Sequence, residues 1–302
     1  MSVSRKIGQD SEGAPIYVRD DNGRPTDQLD HDLDKILAAY NAFRTGQLVE
    51  SQYHFSIDST ELDDHLRINP QRFLPHLNET IEEITRLDGM DGWSVSALGQ
   101  LEADMKIFKG PRLTSAPLVV EERLNATTEK YYTPGAVLQE KSDSVKWLDV
   151  SRANERQIKT IDANRVHDGD IVITRSGSIG RVAYIGNHLE NAIVSDDLIR
   201  VRISDRRLRL YVYNYLQSRY AQDQMSRNEY GAVQQHLEPN HIADLLVPLP
   251  ADWETVGELI TNAADLIQKK EDVYTLSESV LGDLSGLIAA SVTASEDVDD
   301  AS

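Results

Sequence analysis

The chain has 302 residues, 40% of them hydrophobic and 27% charged, enough to bury a core in one or two ordinary globular domains. It has no cysteine, which excludes disulfides, cysteine-ligated zinc and a cysteine nucleophile and fits a reducing cytoplasm. No apolar run approaches the ~20 residues that cross a bilayer, and the N-terminus resembles no signal peptide, so the expected location is cytoplasmic with no membrane partner. The formal net charge of −19 argues at first sight against a polyanionic ligand. That charge is unevenly spread: residues 105–236 carry 20 Lys and Arg against 16 Asp and Glu (+4), the remainder 11 against 34 (−23). A polyanion would have to meet the middle of the chain, and the acidic flanks read as solubilising surface.

Residues 1–28 are rich in Gly, Asp and Pro, and Asn22-Gly23 after Ile16-Tyr17-Val18 predicts a short hairpin or turn. Leu33, Ile36, Leu37, Tyr40 and Phe43 fall at helical spacing before Gly46, which predicts a helix over 32–45. An extended stretch over 53–57 precedes a helix over 75–87, with Leu77, Ile81, Ile84 and Leu87 on one face. Asp88-Gly89-Met90-Asp91-Gly92 then breaks the pattern at an expected domain boundary. From 93 to 247 the pattern turns to short β-like runs, among them 118–120, 136–138, 170–174, 182–185 and the alternating 198–203. Residues 207–219 read as a helix with Leu208, Tyr211, Val212, Tyr215 and Leu216 at its apolar positions. Beyond Pro248-Leu249-Pro250, apolar residues from Val256 to Leu287 recur mostly at helical spacing for about thirty residues. This is a long amphipathic helix or helical hairpin, its seam facing either a partner or the chain's own core.

The informative stretch is Asp168-Gly169-Asp170-Ile171-Val172-Ile173-Thr174-Arg175-Ser176-Gly177-Ser178-Ile179-Gly180-Arg181-Val182-Ala183-Tyr184: a turn, a buried strand, a loop with two glycines and a second strand. Gly177 and Gly180 permit positive φ or close backbone approach. Such a loop is a structural hairpin or an anion site, and alone it does not separate the two. C-terminal to it comes an ordered series: Val194-Ser195-Asp196-Asp197-Leu198-Ile199-Arg200-Val201, a helix through Tyr211 to Tyr220, Gly231-Ala232-Val233-Gln234-Gln235-His236-Leu237, and His241-Ile242-Ala243-Asp244-Leu245-Leu246-Val247-Pro248-Leu249-Pro250.

In motif order and spacing this series resembles the target-recognition domain of type I restriction–modification specificity subunits, over roughly residues 93–287 and more weakly over 106–164. The resemblance implies an α+β fold. A β-rich recognition domain over 91–250 would be followed by a spacer or dimerisation helix over 251–290 and a disordered tail over 291–302. Complete subunits of this family usually carry two such domains and two spacer helices, whereas one of each is found here. The implied protein is a half-subunit that forms a homodimer or pairs with a second recognition subunit. Ile7-Gly8-Gln9-Asp10, Gly13-Ala14-Pro15-Ile16-Tyr17, Asp20 and Gly23, followed by an acidic helix, make residues 1–90 resemble the C-terminal end of an adenine-N6 DNA methyltransferase. The partners so implied are double-stranded DNA, a methyltransferase subunit and a restriction (translocase or nuclease) subunit.

No catalytic constellation accompanies the series. Asn69-Pro70-Gln71-Arg72 is not the motif that holds a target adenine, and no Gly-rich S-adenosylmethionine loop follows an early strand. Asp104-Met105-Lys106 is an isolated fragment of a nuclease pattern, the histidines lack metal-ligand spacing, and no Walker-type phosphate loop is present. The expectation is a non-catalytic subunit without metal or cofactor. For DNA contact, Arg175, Ser176, Ser178 and Arg181 in the Gly-rich loop form one group. Gln234, Gln235 and His236 form a second, or else start a helix, since Arg pairs bidentately with guanine and Gln with adenine. Lys109 and Arg112, with Lys106 and Lys130, lie where sequence preference would be set or are solvated surface charges. Tyr211, Tyr213, Tyr215 and Tyr220 read as helix packing rather than base-stacking residues. The competing function is a non-catalytic adaptor of a phage-defence system that has lost DNA binding, motivated by the −23 outside the central segment.

Overall fold

The computed structural model describes residues 7–10, 13–47, 51, 54–57, 73–121, 126–139, 146–228 and 236–299. The chain divides into two compact units, Met1–Glu83 and Ile84–Ser302. In the first, strands β1 (Tyr17–Arg19) and β2 (Pro25–Leu29) form an antiparallel hairpin. Its turn is closed by Asp20, whose carboxylate accepts from the amides of Asn22 and Arg24, and Gly23 takes the positive φ that the expected Asn-Gly turn requires. Helix α1 (Leu33–Arg44) ends at Gly46, also at positive φ, as its spacing predicted. Phe55 and Phe73 are buried together with Ile57 and Leu74 against them. Helix α2 (Pro75–Leu87) carries the chain into the second unit and has the predicted bounds; Tyr53 of the expected extended stretch lies outside the described residues.

The second unit is α+β. Its central antiparallel sheet has the order β4 (Lys106–Lys109), β11 (Leu198–Arg202), β8 (Ile171–Thr174), β9 (Val182–Tyr184). Side chains of a strand alternate between faces, and here both faces are covered. Ile171, Ile173, Ile199 and Val201 enter one cluster with Leu208, Val212 and Leu216. Val172, Leu198 and Ala183 enter another with Tyr132, Val137, Val166 and Ile185. That is why β8 reads as an unbroken apolar run. A second sheet has the order β10 (Ile193–Val194), β6 (Thr128–Tyr132), β7 (Lys146–Asp149), β5 (Val119–Val120), with β10 parallel to β6. It shares a core of Leu113, Leu118, Tyr131, Leu148 and Ile193 with Ile161 of helix α4 (Glu155–Ala163). Asn154 and Gln157 start α4 with a reciprocal capping box.

Helix α5 (Arg206–Gln217) packs on the central sheet, with Tyr211, Tyr213 and Tyr215 buried. The hydroxyls of Tyr211 and Tyr215 donate to the carbonyls of Pro248 and Leu246, so these rings serve packing. Those carbonyls belong to β12 (Leu246–Pro250), which pairs antiparallel with β3 (Trp93–Ala97) and joins the unit's exit to its entry.

Three expectations need correction. Residues 136–138 lie in helix α3 (Pro134–Gln139), not a strand. Pro134 sits in its first turn, and an apolar run of three carries no periodicity to separate helix from strand. The helix expected over 207–219 stops at Gln217, because Ser218 takes an extended backbone (ψ 158°) and donates its hydroxyl to the Tyr215 carbonyl. A separate helix, α6 (Arg219–Asn228), follows. Short α7 (Pro239–Ala243) precedes β12, and α8 (Gly257–Asp299) is one continuous helix of 43 residues, about 65 Å long at 1.5 Å per residue. It continues through most of the segment expected to be a disordered tail. None of the described helices is long and apolar enough to cross a membrane.

Candidate nucleic-acid interface

The Gly-rich loop is a hairpin between β8 and β9, closed by one buried side chain. Thr174 donates its hydroxyl to the Ser178 carbonyl, accepts from the Arg181 amide, and accepts the Gly180 amide on its own carbonyl. Gly177 and Gly180 both have positive φ, which explains their identity. A Cβ at Gly180 would lie 3.1 Å from Gln222 Oε1, while Gln222 Nε2 donates to the Gly180 carbonyl at 2.8 Å. The loop therefore rests on α6. The amides of Arg175, Ile179, Gly180 and Arg181 all donate within the protein, so the part of the loop that can face a ligand is its tip, residues 176–178, together with the flanking side chains.

Strand register gathers further candidates at this end of the sheet. Thr174 pairs with Leu198, and next along, Ile199 pairs with Lys109. The loop, Asp196-Asp197 and the segment from Lys109 to Arg112 thus share one rim. Arg175 adds a fourth piece: its carbonyl accepts from the Leu237 amide and its Nε donates to the Leu237 carbonyl, which brings His236 beside the loop. Gln234 and Gln235 lie outside the described residues. Lys106 lies at the far end of β4, opposite Arg202. Lys130 is bound to the His188 carbonyl and, at 2.9 Å, to Glu278 of α8.

The cations on this rim differ. Arg175 is 13% exposed, 2.5 Å from Glu238 and 3.6 Å from Asp197, and Lys109 meets the same Glu238 at 2.8 Å. Ser176 donates to Asp197 at 2.9 Å. Arg181 and Arg112 are exposed, and their guanidinium groups make no ion pair among the described residues. Ser178 is exposed as well.

Two buried polar side chains brace the central sheet, Asp170 at the end opposite the rim and Arg200 in its middle. Asp170, 2% exposed, receives Arg202 through two 2.7 Å bonds and the His167 amide at 3.0 Å, fixing the turn that leads into β8. Arg200 is a core residue that sequence reasoning missed, because strand alternation carries no sign that a guanidinium is buried. It is 1% exposed. It donates to the Ala163 and Arg165 carbonyls at the C-terminal end of α4, where carbonyls lack helical partners, and its guanidinium lies 4.4 Å from the centre of the Phe108 ring. Burial lowers its pKa to about 10, which leaves it charged at neutral pH. Gly110 lies against this group: a Cβ there would overlap Asn164 Oδ1 and approach Arg200 Nη2 to 2.5 Å. Asn164 Nδ2 in turn donates to the Pro111 carbonyl at 2.9 Å, just before Arg112. Asp104 of the nuclease-like fragment accepts from the Ser204 hydroxyl, and no cluster of three His, Asp or Glu suited to a metal occurs among the described residues.

A DNA-specificity module is the class of protein to which the sequence of this unit corresponds. The family described as type I restriction modification DNA specificity domain matches residues 90–277, and the chain belongs to that family. No curated protein sequence matches it. Among solved structures, it is similar to one described under complex assembly and conformational transition of the type I R-M system, at 13% identity over 82% of this chain and 65% of that one (TM-score 0.42). It is also similar to the S subunit of a type I restriction–modification system from M. genitalium, at 14% identity over 63% of this chain and 43% of that one (TM-score 0.42). The HsdS subunit from Thermoanaerobacter tengcongensis gives 14% identity, 69% and 48% coverage and a TM-score of 0.40. The chain thus spans less than two thirds of the length of these proteins.

Proposed function

We propose that this chain is the sequence-reading subunit of a type I-like restriction–modification system, directing a partner adenine methyltransferase, with a restriction subunit as a further partner, to a site on double-stranded DNA. The observation that carries this reading is the rim itself: Arg181, Ser178 and Arg112, three of the residues singled out from sequence, lie exposed at one end of the central sheet, on segments braced by Thr174, Gln222 and Asn164. Arg112 and Arg181 are the phosphate or guanine contacts, His236 beside the loop is a further one, and Gln234 and Gln235 remain candidates by their sequence alone. The chain contributes recognition and its partner the chemistry. Residues 1–90 are the methyltransferase-tail-like part, 91–250 the recognition domain and 251–290 the spacer helix.

The spacer also gives the half-subunit its pairing surface. Ile260, Ile267 and Tyr274 of α8 are half-buried on the inward side, whereas Leu266, Val273, Leu276, Val280, Leu284 and Leu287 are 48–68% exposed. Their spacing is that of a coiled-coil seam, which fits a homodimer or a second recognition subunit.

The test is equilibrium DNA binding by the full chain with its methyltransferase subunit, using random-sequence duplexes and then selection of the bound fraction. Enrichment of a two-part motif is expected. The double variant Arg112→Ala, Arg181→Ala is expected to reduce the magnitude of the log Kd–log salt slope by about 1.8, at ~0.9 per lost phosphate contact. Equal affinity for every duplex rejects the reading. An unchanged slope in the double variant favours the adaptor reading, which the internally paired Arg175 and Lys109 would also suit.

A further inference from the structure

Glu238 has no part in the motifs that identified the domain, yet it holds two of the rim's cations at once. Lys109 ends β4 and Arg175 begins the loop after β8; they reach Glu238 at 2.8 Å and 2.5 Å. The carboxylate is held in place. Its neighbour Leu237 is fully buried and bonded to Arg175 through both its amide and its carbonyl. The three side chains are 25%, 39% and 13% exposed, so the network lies at the surface where a phosphate would arrive. Asp197, 3.6 Å from Arg175, adds a second acid. Four cations therefore line the rim, and only Arg112 and Arg181 are left without an ion pair among the described residues.

Resting on the DNA-recognition reading, we propose that Glu238 is a specificity-determining residue: it holds Lys109 and Arg175 away from backbone phosphates and so suppresses sequence-independent binding. Sequence-independent affinity grows with the number of cations that reach phosphates, whereas base readout depends on geometry. A carboxylate that removes two cations from the first count and fixes the strand and loop that carry them raises the ratio of specific to non-specific binding. Lys109 and Arg175, singled out from sequence as direct DNA contacts, then act as partners of Glu238.

The experiment measures binding of a random-sequence duplex of about 30 base pairs by the full chain in complex with its methyltransferase subunit, between about 50 and 200 mM salt. Glu238→Gln keeps the side chain's size and removes its charge. It is expected to bind the random duplex more than tenfold more tightly at the lower salt. Two added phosphate contacts steepen the slope by about 1.8, so this advantage shrinks about tenfold across the range. Lys109→Gln, a substitution at a half-exposed position, is expected to leave non-specific affinity and slope as in the unaltered protein, because Lys109 is already neutralised. Glu238→Gln with Lys109→Gln should retain only half of the steepening. A folded Glu238→Gln protein with unaltered slope overturns the proposal. So does a Lys109→Gln protein whose slope falls by about 0.9, and this second arm holds even where Glu238→Gln fails to fold. Loss of all salt-dependent binding by the unaltered complex would instead remove the DNA-recognition reading.

Discussion

Gly110→Ala tests how the rim is held. The φ of Gly110 is not in the left-handed region, so its glycine is required by space alone. The added Cβ would overlap Asn164 Oδ1 and approach Arg200, both essentially inaccessible to solvent. Overpacking of this kind costs about 1–3 kcal/mol, and displacement of Asn164 from the Pro111 carbonyl adds about 1 kcal/mol. A total of about 2–4 kcal/mol corresponds to a fall in Tm of roughly 4–16 °C for a unit of this size. Asn164→Ala alone loses its bonds to Pro111 and Arg200, at about 1 kcal/mol each plus a small cavity. The two changes should not add. With Asn164 truncated, the Cβ of residue 110 enters the vacated space, and the double variant should be about as stable as Asn164→Ala. Thermal and urea unfolding of all four proteins gives the coupling energy, expected to approach the whole cost of Gly110→Ala. Additivity within about 0.5 kcal/mol would show that the overlap is not what requires glycine here and would refute the reasoning.

Replacing Arg202 by Met leaves Asp170, 2% exposed, with the His167 amide as its remaining hydrogen-bond donor among the described residues, and should destabilise by about 2–3 kcal/mol in denaturant unfolding. The figure is discounted from a fully buried pair because Arg202 is 35% exposed. Burial pushes the Tyr211 hydroxyl up to about 12 and raises Tyr215 as well. The folded-state pKa thus exceeds the ordinary value, so this contribution to stability is complete below about pH 10 and is lost as pH climbs toward 12. Absorbance titration of tyrosinate should show these two rings ionising after the exposed ones, and normal ionisation would show that β12 does not cover them. Glu271→Gln at the contact with His188 (2.6 Å), where the His188 ring stacks on Tyr274 at 4.0 Å, should raise amide exchange in α8 near residue 271 and leave exchange in β8 unchanged.

The informative parts of the sequence were those in which a local rule and the tertiary fold agree. Asn22-Gly23, the apolar spacing of α1 and α2, and the β8–loop–β9 unit appear where they were expected, because a turn type, a helical period and two positive-φ glycines each leave a direct local mark. The pairing of β3 with β12, residues 93–97 with 246–250, has no such mark. The rim was half legible: Arg112, Ser178 and Arg181 are exposed, but the neutralisation of Arg175 by Glu238, 63 residues on, depends on a contact that no spacing rule encodes. The burial of Arg200 leaves no local mark either. Alternation assumes one wet face, and the end of α4 makes that face dry by offering carbonyls to a buried guanidinium.

On the proposed reading, an acidic chain that binds DNA and pairs through an acidic helix should respond to salt in two opposite ways. Residues 251–302 carry 12 Asp and Glu against 2 Lys, so two copies of α8 brought together along the Leu266–Leu287 seam repel electrostatically while their apolar side chains attract. Raising salt from about 50 to about 300 mM shortens the screening length from roughly 14 to 6 Å and weakens that repulsion without diminishing apolar burial. Self-association of the full chain, measured by sedimentation without DNA, should therefore tighten over the range in which DNA binding weakens. Val280→Asp, at a position 58% exposed, should abolish it with little effect on unfolding of the recognition domain. A dimer that dissociates as salt rises would mean that ion pairs rather than the apolar seam hold it, and a monomer at every salt concentration would leave the seam to a different recognition subunit.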